Sequence, residues 1–314
     1  RSAKCLASRI MSHTPVDPFA ATSSPRRLPL SYPGTWPEFS SLISQSRLWQ
    51  IRDRHGDELS WERISPCRLG ECRVQLDEQL ALSPGSAPEL ATVLEAAGAV
   101  SLDDRVPVLA IGSNAAPAQL RHKFEDRDTP LLIPSVRARV DGVQLGFTAF
   151  LAPAGYVPAT IYPEAGNTVE LAVQWLDVAQ LREIDATELP YYRRVWLDAS
   201  QGVRVLLETG EVLSGVHAYV AEGGMLGRDG VPWVLGAGLN QRPTSMDPAR
   251  WFADQEAVIA ALQASTTIAA ELGTTAAQFI EARHSGGDRA ELLIEAGFVI
   301  ADNRFGTLAP QTAG

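Results

Sequence analysis

The feature that most constrains this chain is the stretch Val106-Pro107-Val108-Leu109-Ala110-Ile111-Gly112-Ser113-Asn114. An apolar run of strand-forming residues ends abruptly in a short polar turn, and Ala115–Arg121 then reads as the start of a helix. Strand, tight turn and helix point backbone N–H groups into a cleft. Gly112 admits a backbone shape that a Cβ would resist. Ser113 or Asn114 is expected to cap the helix, leaving first-turn amides facing any anion or carbonyl oxygen placed there. The same three residues are also ordinary turn chemistry, so other parts of the chain must decide whether the turn does more.

With 314 residues, 45% hydrophobic and 20% charged, the chain can bury a substantial core. Its formal net charge of −10 argues against a dedicated nucleic-acid binder, which needs a basic surface. No apolar run approaches the roughly 18–20 residues that span a bilayer, and a membrane partner is not expected. The cysteines Cys5, Cys67 and Cys72 are too few for a disulfide scaffold, which favours a cytoplasmic location. Cys67 and Cys72 have only His55 nearby and an uncommon zinc-pair spacing, so no metal is expected. Met11 begins a natural-looking start, so residues 1–10 are left out of the fold reading, and no secretion signal is seen.

Residues 1–40 hold six prolines between Ser12 and Pro37 and read as a flexible Pro-rich leader or wrapping arm, with Trp36, Phe39 and Trp49 available to pin it. Residues 41–104 form an N-terminal extension without assignable chemistry. Within it, Ser41–Asp53 reads as a short helix, Cys72–Leu76 as a strand and Pro88–Ala97 as a helix. Residues 105–222 carry period-two patterns at Val143–Phe150 and Val169–Leu176, and a hairpin is predicted from Val203–Leu207 to Val212–Val220. Between them Asp177–Ile184 reads as a helix with a capping box of Asp177 and Gln180, and Val178, Leu181 and Ile184 facing inward. The Gly-rich passage from Glu222 reads as a flexible connection. Residues 223–314 form a mainly helical extension, through Pro248–Gln263, Thr274–Ala282 and Asp288–Ala296. The expected fold class is α+β: a mixed β-sheet or small β-barrel with peripheral helices, plus N-terminal and C-terminal helical extensions.

A second stretch, Leu181–Val195, gives the turn its meaning. Asp185 and Glu188 stand three apart at a helix end and share one face. Leu189-Pro190 stops the helix and Tyr191-Tyr192-Arg193-Arg194-Val195 leads into a strand. An acid desolvated among aromatic rings approaches what a general base needs. The competing reading is a surface network of Asp185 and Glu188 with Arg193 or Arg194.

Together the two stretches resemble the gamma-glutamylcyclotransferase-like family, in which a Tyr-Gly-Ser-Asn loop closes the first strand and Asp-x-x-Glu with Tyr-Arg lies downstream. Gly112-Ser113-Asn114 match the loop, Ile184–Glu188 the acidic helix, and Tyr192-Arg193-Arg194-Val195 the exit. Pro158–Pro163 is similar to the family's intervening strand, so the resemblance covers about residues 105 to 220. It departs at Ile111, where the family carries the loop Tyr. The resemblance implies that a gamma-glutamyl amine or peptide cyclises on itself, releasing 5-oxoproline and an amine, with Glu188 as general acid and base. Ile111, Gly112, Ser113, Asn114 and Tyr192 would bind substrate, and Asp185 would support the helix end. No metal or organic cofactor is implied, because the nucleophile lies within the substrate. The partner is then a small gamma-glutamyl or amino-acid-like molecule.

Two alternatives stand beside it. One is a non-catalytic module binding an amino-acid-like ligand or a protein partner. The other is an amidase-type hydrolase using Ser113, although the Gly-x-Ser-x-Gly elbow is absent and neither His122 nor His217 lies in an obvious triad position. The cluster Glu222–Gly227 lacks the ending of a phosphate-binding loop.

Overall fold

A computed structural model describes residues 19, 24–45, 47–63, 66–75, 87–189, 191–236, 240, 246–287, 289–300 and 305. In chain order the strands are β1 (Ser41–Ser44), β2 (Leu48–Arg52), β3 (Arg73–Gln75), β4 (Val106–Ala110), β5 (Leu132–Phe147), β6 (Ala159–Leu176), β7 (Tyr192–Asp198), β8 (Arg204–Leu207), β9 (Val212–Leu213), β10 (Gly215–Ala221), β11 (Met225–Arg228), β12 (Val231–Pro232), β13 (Val234–Leu235), β14 (Trp251–Phe252) and β15 (Val299–Ile300). The helices are α1 (Leu90–Ala96), α2 (Pro117–Phe124), α3 (Val178–Glu188), α4 (Gln255–Gln263), α5 (Thr266–Leu272), α6 (Ala276–His284) and α7 (Ala290–Glu295).

The molecule is built on the β5–β6 hairpin. Val136, Ala138 and Val140 alternate with Arg137 and Arg139 along β5, and the buried set packs opposite Val169, Leu171 and Val173 of β6. On the other face Arg137 and Arg139 reach Glu170 at 2.9 and 3.2 Å, a cross-strand charge pairing that fixes the register. The main sheet runs β3-β2-β1-β5-β6-β4-β10-β7, with β8–β9 and β13–β14 also joined to β5. The β4–β10 and β13–β14 pairs are parallel and the rest antiparallel. No ring of pairings closes among the described residues, so the mixed sheet, and not a closed barrel, describes the fold.

Two apolar layers cover the sheet. On one side Val258, Ile259, Leu262, Phe279 and Phe298 pack with Phe147 and Trp233. On the other, Leu120 and Phe124 of α2 and Leu181 and Ile184 of α3 pack with Phe150, Tyr192 and Tyr219. No helix among the described residues is long and apolar enough to cross a membrane.

Several local expectations change. Ser41–Asp53 is not a helix: it forms the β1–β2 hairpin, because Leu42 and Ile43 are buried by pairing β1 against Pro134 and Ile133 of β5. The N-terminal extension therefore contributes three strands to the sheet, with α1 its only α-helix among the described residues. Leu76 and Pro190 lie outside the described residues. From Ser24 the Pro-rich segment wraps onto the body: Tyr32 is buried, and Ser24 donates to Gln119. Strand β5 stops at Phe147, and Ser214 divides the long predicted strand into β9 and β10. Val178 is 56% exposed, while Leu181 and Ile184 are buried; at the first helical position Val178 points away from the core. The Gly-rich passage is a turn into β11, where Leu226 is fully buried. Pro248–Gln263 is not one helix: Trp251 and Phe252 pair with β13, and α4 starts only after Asp254, whose carboxylate accepts from Ala257 N–H. The C-terminal extension thus mixes strands with helices.

Candidate active site

The expected site residues come together at the rim of the second apolar layer. Strand β4 ends at Ala110, and Gly112–Ala115 forms a single 3-10 turn. Gly112 is left-handed at φ +64°, and a Cβ there would collide with the Tyr32 hydroxyl. Neither Ser113 nor Asn114 caps the next helix: α2 begins at Pro117 after Ala116, with no side-chain cap, because proline at the first position supplies the right φ and lacks the orphan N–H.

Helix α3 is held at both ends. The capping box is present: Asp177 accepts from Gln180 N–H at 2.8 Å and Gln180 Oε1 accepts from Asp177 N–H at 3.2 Å. Buried Arg105 donates to Gln180 Oε1, to Trp175 O and to Leu132 O, each at 3.1 Å. At the far end Tyr219 donates to Asp185 Oδ1 at 2.5 Å, and Arg194 lies 3.4 Å from Asp185. Asp185 therefore supports the helix end. Arg193 turns elsewhere and donates to Phe305 O at 2.9 Å.

Glu188 follows a different course. Its carboxylate accepts from Lys123 Nζ at 2.6 Å and from Asn114 Nδ2 at 3.3 Å. Both charged side chains are mostly buried, 5% exposed for Lys123 and 15% for Glu188. Lys123 also donates to Thr187 Oγ1 at 2.8 Å. The Asn114 Oδ1 is buried with no hydrogen-bond partner among the described residues. Glu188, Asn114, Ser113, Ile111, Lys123 and Tyr192 line one cavity of about 310 Å³. Gly112 is not among its lining residues; its part is to let the turn pass Tyr32. Lys123 carries no motif, and only its place one residue before the end of α2 hints at a neighbour on α3.

Aromatic rings make the rest of the wall. Phe150 stacks on Tyr191 at 5.0 Å and meets Tyr192 edge-on at 5.7 Å. Tyr192 donates to Ala159 O at 3.0 Å. Tyr32 and Tyr156 stack at 4.5 Å. Where the resembling family has a loop tyrosine this chain has Ile111, and a phenol reaches the turn from Tyr32 instead. Burial pushes the Tyr32 and Tyr192 hydroxyls well above the usual phenol range. Burial, with the Glu188 charge adding to it, raises Tyr156 to about 12. All three stay protonated near neutral pH.

No histidine is among the lining residues to pair with Ser113 in a Ser-His triad. His122 sits on a helix face 2.8 Å from Glu125, and His217 lies in β10 edge-on to Trp196. Among the described residues no His/Cys/Asp/Glu group could hold a metal. Cys67 and Cys72 are buried free thiols 3.0 Å apart, in the N-terminal extension away from the cavity lining.

No protein-family model and no curated protein matches the chain. Several solved structures do. A protein of Arabidopsis thaliana studied in solution is 22% identical, with a TM-score of 0.28 over 37% of this chain and 61% of its own length. A structure described as a gamma-glutamyl cyclotransferase is 17% identical, with a TM-score of 0.30 over 37% of this chain and 66% of that one. A Homo sapiens protein described as uncharacterized is 18% identical, with a TM-score of 0.30 over 38% and 67%. This chain thus spans less than two thirds of the first two structures' own length.

Proposed function

We propose that this chain is a gamma-glutamylcyclotransferase-like enzyme that converts a gamma-glutamyl amine or peptide into 5-oxoproline and a free amine. The observation that carries the reading is the pairing inside the cavity. A carboxylate, Glu188, and an ammonium, Lys123, lie side by side beside an unpartnered acceptor, Asn114 Oδ1. That arrangement complements an alpha-amino-acid head group. The substrate's ammonium donates to Glu188 and Asn114, and its alpha-carboxylate takes the Lys123 ammonium.

Substrate binding then switches on the base. In the free protein the Glu188 carboxylate is occupied by the Lys123 ammonium. A substrate carboxylate that draws Lys123 away leaves Glu188 to take a proton from the substrate's ammonium. The freed amine attacks the gamma-carbonyl carbon, forming the ring C–N bond and placing negative charge on the carbonyl oxygen. Collapse of that intermediate breaks the bond to the leaving amine, which takes the proton from Glu188; Glu188 then accepts the extra proton of the ring nitrogen and passes it to the same amine, which departs as an ammonium. No water is consumed and Glu188 ends as it began. Both reacting groups belong to one molecule, so holding them in register supplies much of the rate.

The test is incubation with a panel of gamma-glutamyl amines and dipeptides, assayed for 5-oxoproline, alongside Glu188→Gln. Turnover in the wild type and its loss in a folded Glu188→Gln supports the enzyme. The short Lys123–Glu188 contact also fits a second reading, a binding module that recognises amino-acid zwitterions. Saturable binding of 5-oxoproline or glutamate without turnover would select it.

A further inference from the structure

The N-terminal arm enters the cavity wall through one side chain. Tyr32 is 4% exposed, stacks on Tyr156, and lines the same cavity as Glu188 and Ser113. Its hydroxyl accepts from Ala159 N–H at 2.6 Å and sits against Gly112, where a Cβ would collide with it. The phenol oxygen is thus engaged as an acceptor beside the turn whose amides were expected to face the ligand directly. No acceptor for its own hydrogen is found among the described residues. Amides that donate to a hydroxyl oxygen strengthen that hydroxyl as a donor in its turn.

We propose that Tyr32 is the hydrogen-bond donor that receives the oxyanion formed at the ligand's gamma-carbonyl, with the amide of Ala159 acting through it and not on the ligand. This rests on the cyclisation reading for the identity of the oxyanion. It makes the arm, although remote in sequence from the turn and α3, part of the site. Burial keeps the phenol protonated, so the donor is present across the neutral range. The position demands a fixed ring with an oxygen at its tip, which the stack on Tyr156 and the glycine at 112 supply.

The experiment uses the full chain with Tyr32→Phe, which keeps the stacked ring and removes only the hydroxyl. With gamma-glutamyl dipeptides the expected result is a fall in kcat of about 10²–10³-fold, the usual cost of one oxyanion donor, with KM within about threefold. A merely structural tyrosine would lower thermal stability without that split. Should kcat stay within about threefold of wild type while Glu188→Gln is inactive, Tyr32 is not the donor and cyclisation stands. Should the wild type release no 5-oxoproline, cyclisation falls, and binding of 5-oxoproline decides the donor. Affinity at least about tenfold weaker in Tyr32→Phe upholds it; equal affinity, or no binding by the wild type, overturns it. A measurement on the wild type alone guards against misfolding of the variant. The infrared stretch of carbonyl-labelled 5-oxoproline must move to lower frequency on binding, and an unshifted band sinks the proposal.

Discussion

At the scale of single residues, the two acids of α3 have separate work despite standing one helical turn apart. Asp185 is bonded by Tyr219 and paired with Arg194, whereas Glu188 reaches Lys123 and Asn114 in the cavity. Glu188→Gln is expected to lower kcat by about 10²–10⁴-fold with little change in melting temperature, because the amide keeps the shape and loses the base. Asp185→Ala should do the reverse, costing about 1–3 kcal/mol through the orphaned Tyr219 and Arg194 groups while turnover persists; chemical denaturation and kinetics on the same samples separate the two. Lys123→Gln should raise KM on the order of 10–100-fold through loss of a charged hydrogen-bond partner for the substrate carboxylate.

At the scale of elements, the C-terminal helices matter for the cavity without lining it. The loop between β5 and β6 supplies Phe150, Ala152, Pro153, Ala154, Tyr156 and Pro158 to the wall. Fully buried Gln255, at the start of α4, accepts from Val157 N–H at 2.8 Å and donates to Val157 O at 3.0 Å. Arg283 of α6 donates to Leu151 O at 3.0 Å, and Ile280 presses on Gly155, which is left-handed at φ +96°. Gln255→Ala strands two buried backbone groups, at roughly 1–3 kcal/mol each. A lower melting temperature together with a raised KM is expected, since the loosened loop carries Tyr156; a lower melting temperature with unchanged KM would show that the loop keeps its shape without α4.

At the scale of the whole molecule, pH acts through a half-buried histidine, His217, away from the cavity. Burial, and then the Arg194 charge, hold the His217 pKa below its ordinary value. Between that lowered value and about 6.5 the unfolded chain binds more protons than the folded one, so stability present above about pH 6.5 is lost as pH falls. Urea denaturation from pH 7.5 to 5.0 should show this loss, and His217→Gln should flatten that part of the profile.

Much of the core could be read from the chain because local periodicity and capping chemistry act over a few residues. Strand β4, the alternation along β5 and β6, and the Asp177–Gln180 capping box are of that kind. Where a partner distant in sequence decides conformation, local reading failed: Ser41–Ser44 is strand because β5 offers a free edge, and Trp251–Phe252 is strand because β13 does. The same division runs through the site. The turn at Gly112–Asn114 and the acids Asp185 and Glu188 stand out in the sequence by their local pattern. Lys123 and Tyr32 do not, since nothing near them announces that α2 passes the end of α3, or that an arm some 80 residues before the turn lays its phenol beside Gly112. Residue pattern chose the strands, caps and acids, whose energetics are local; only tertiary packing chose their companions, because burial and charge pairing depend on which surfaces the folded chain presses together.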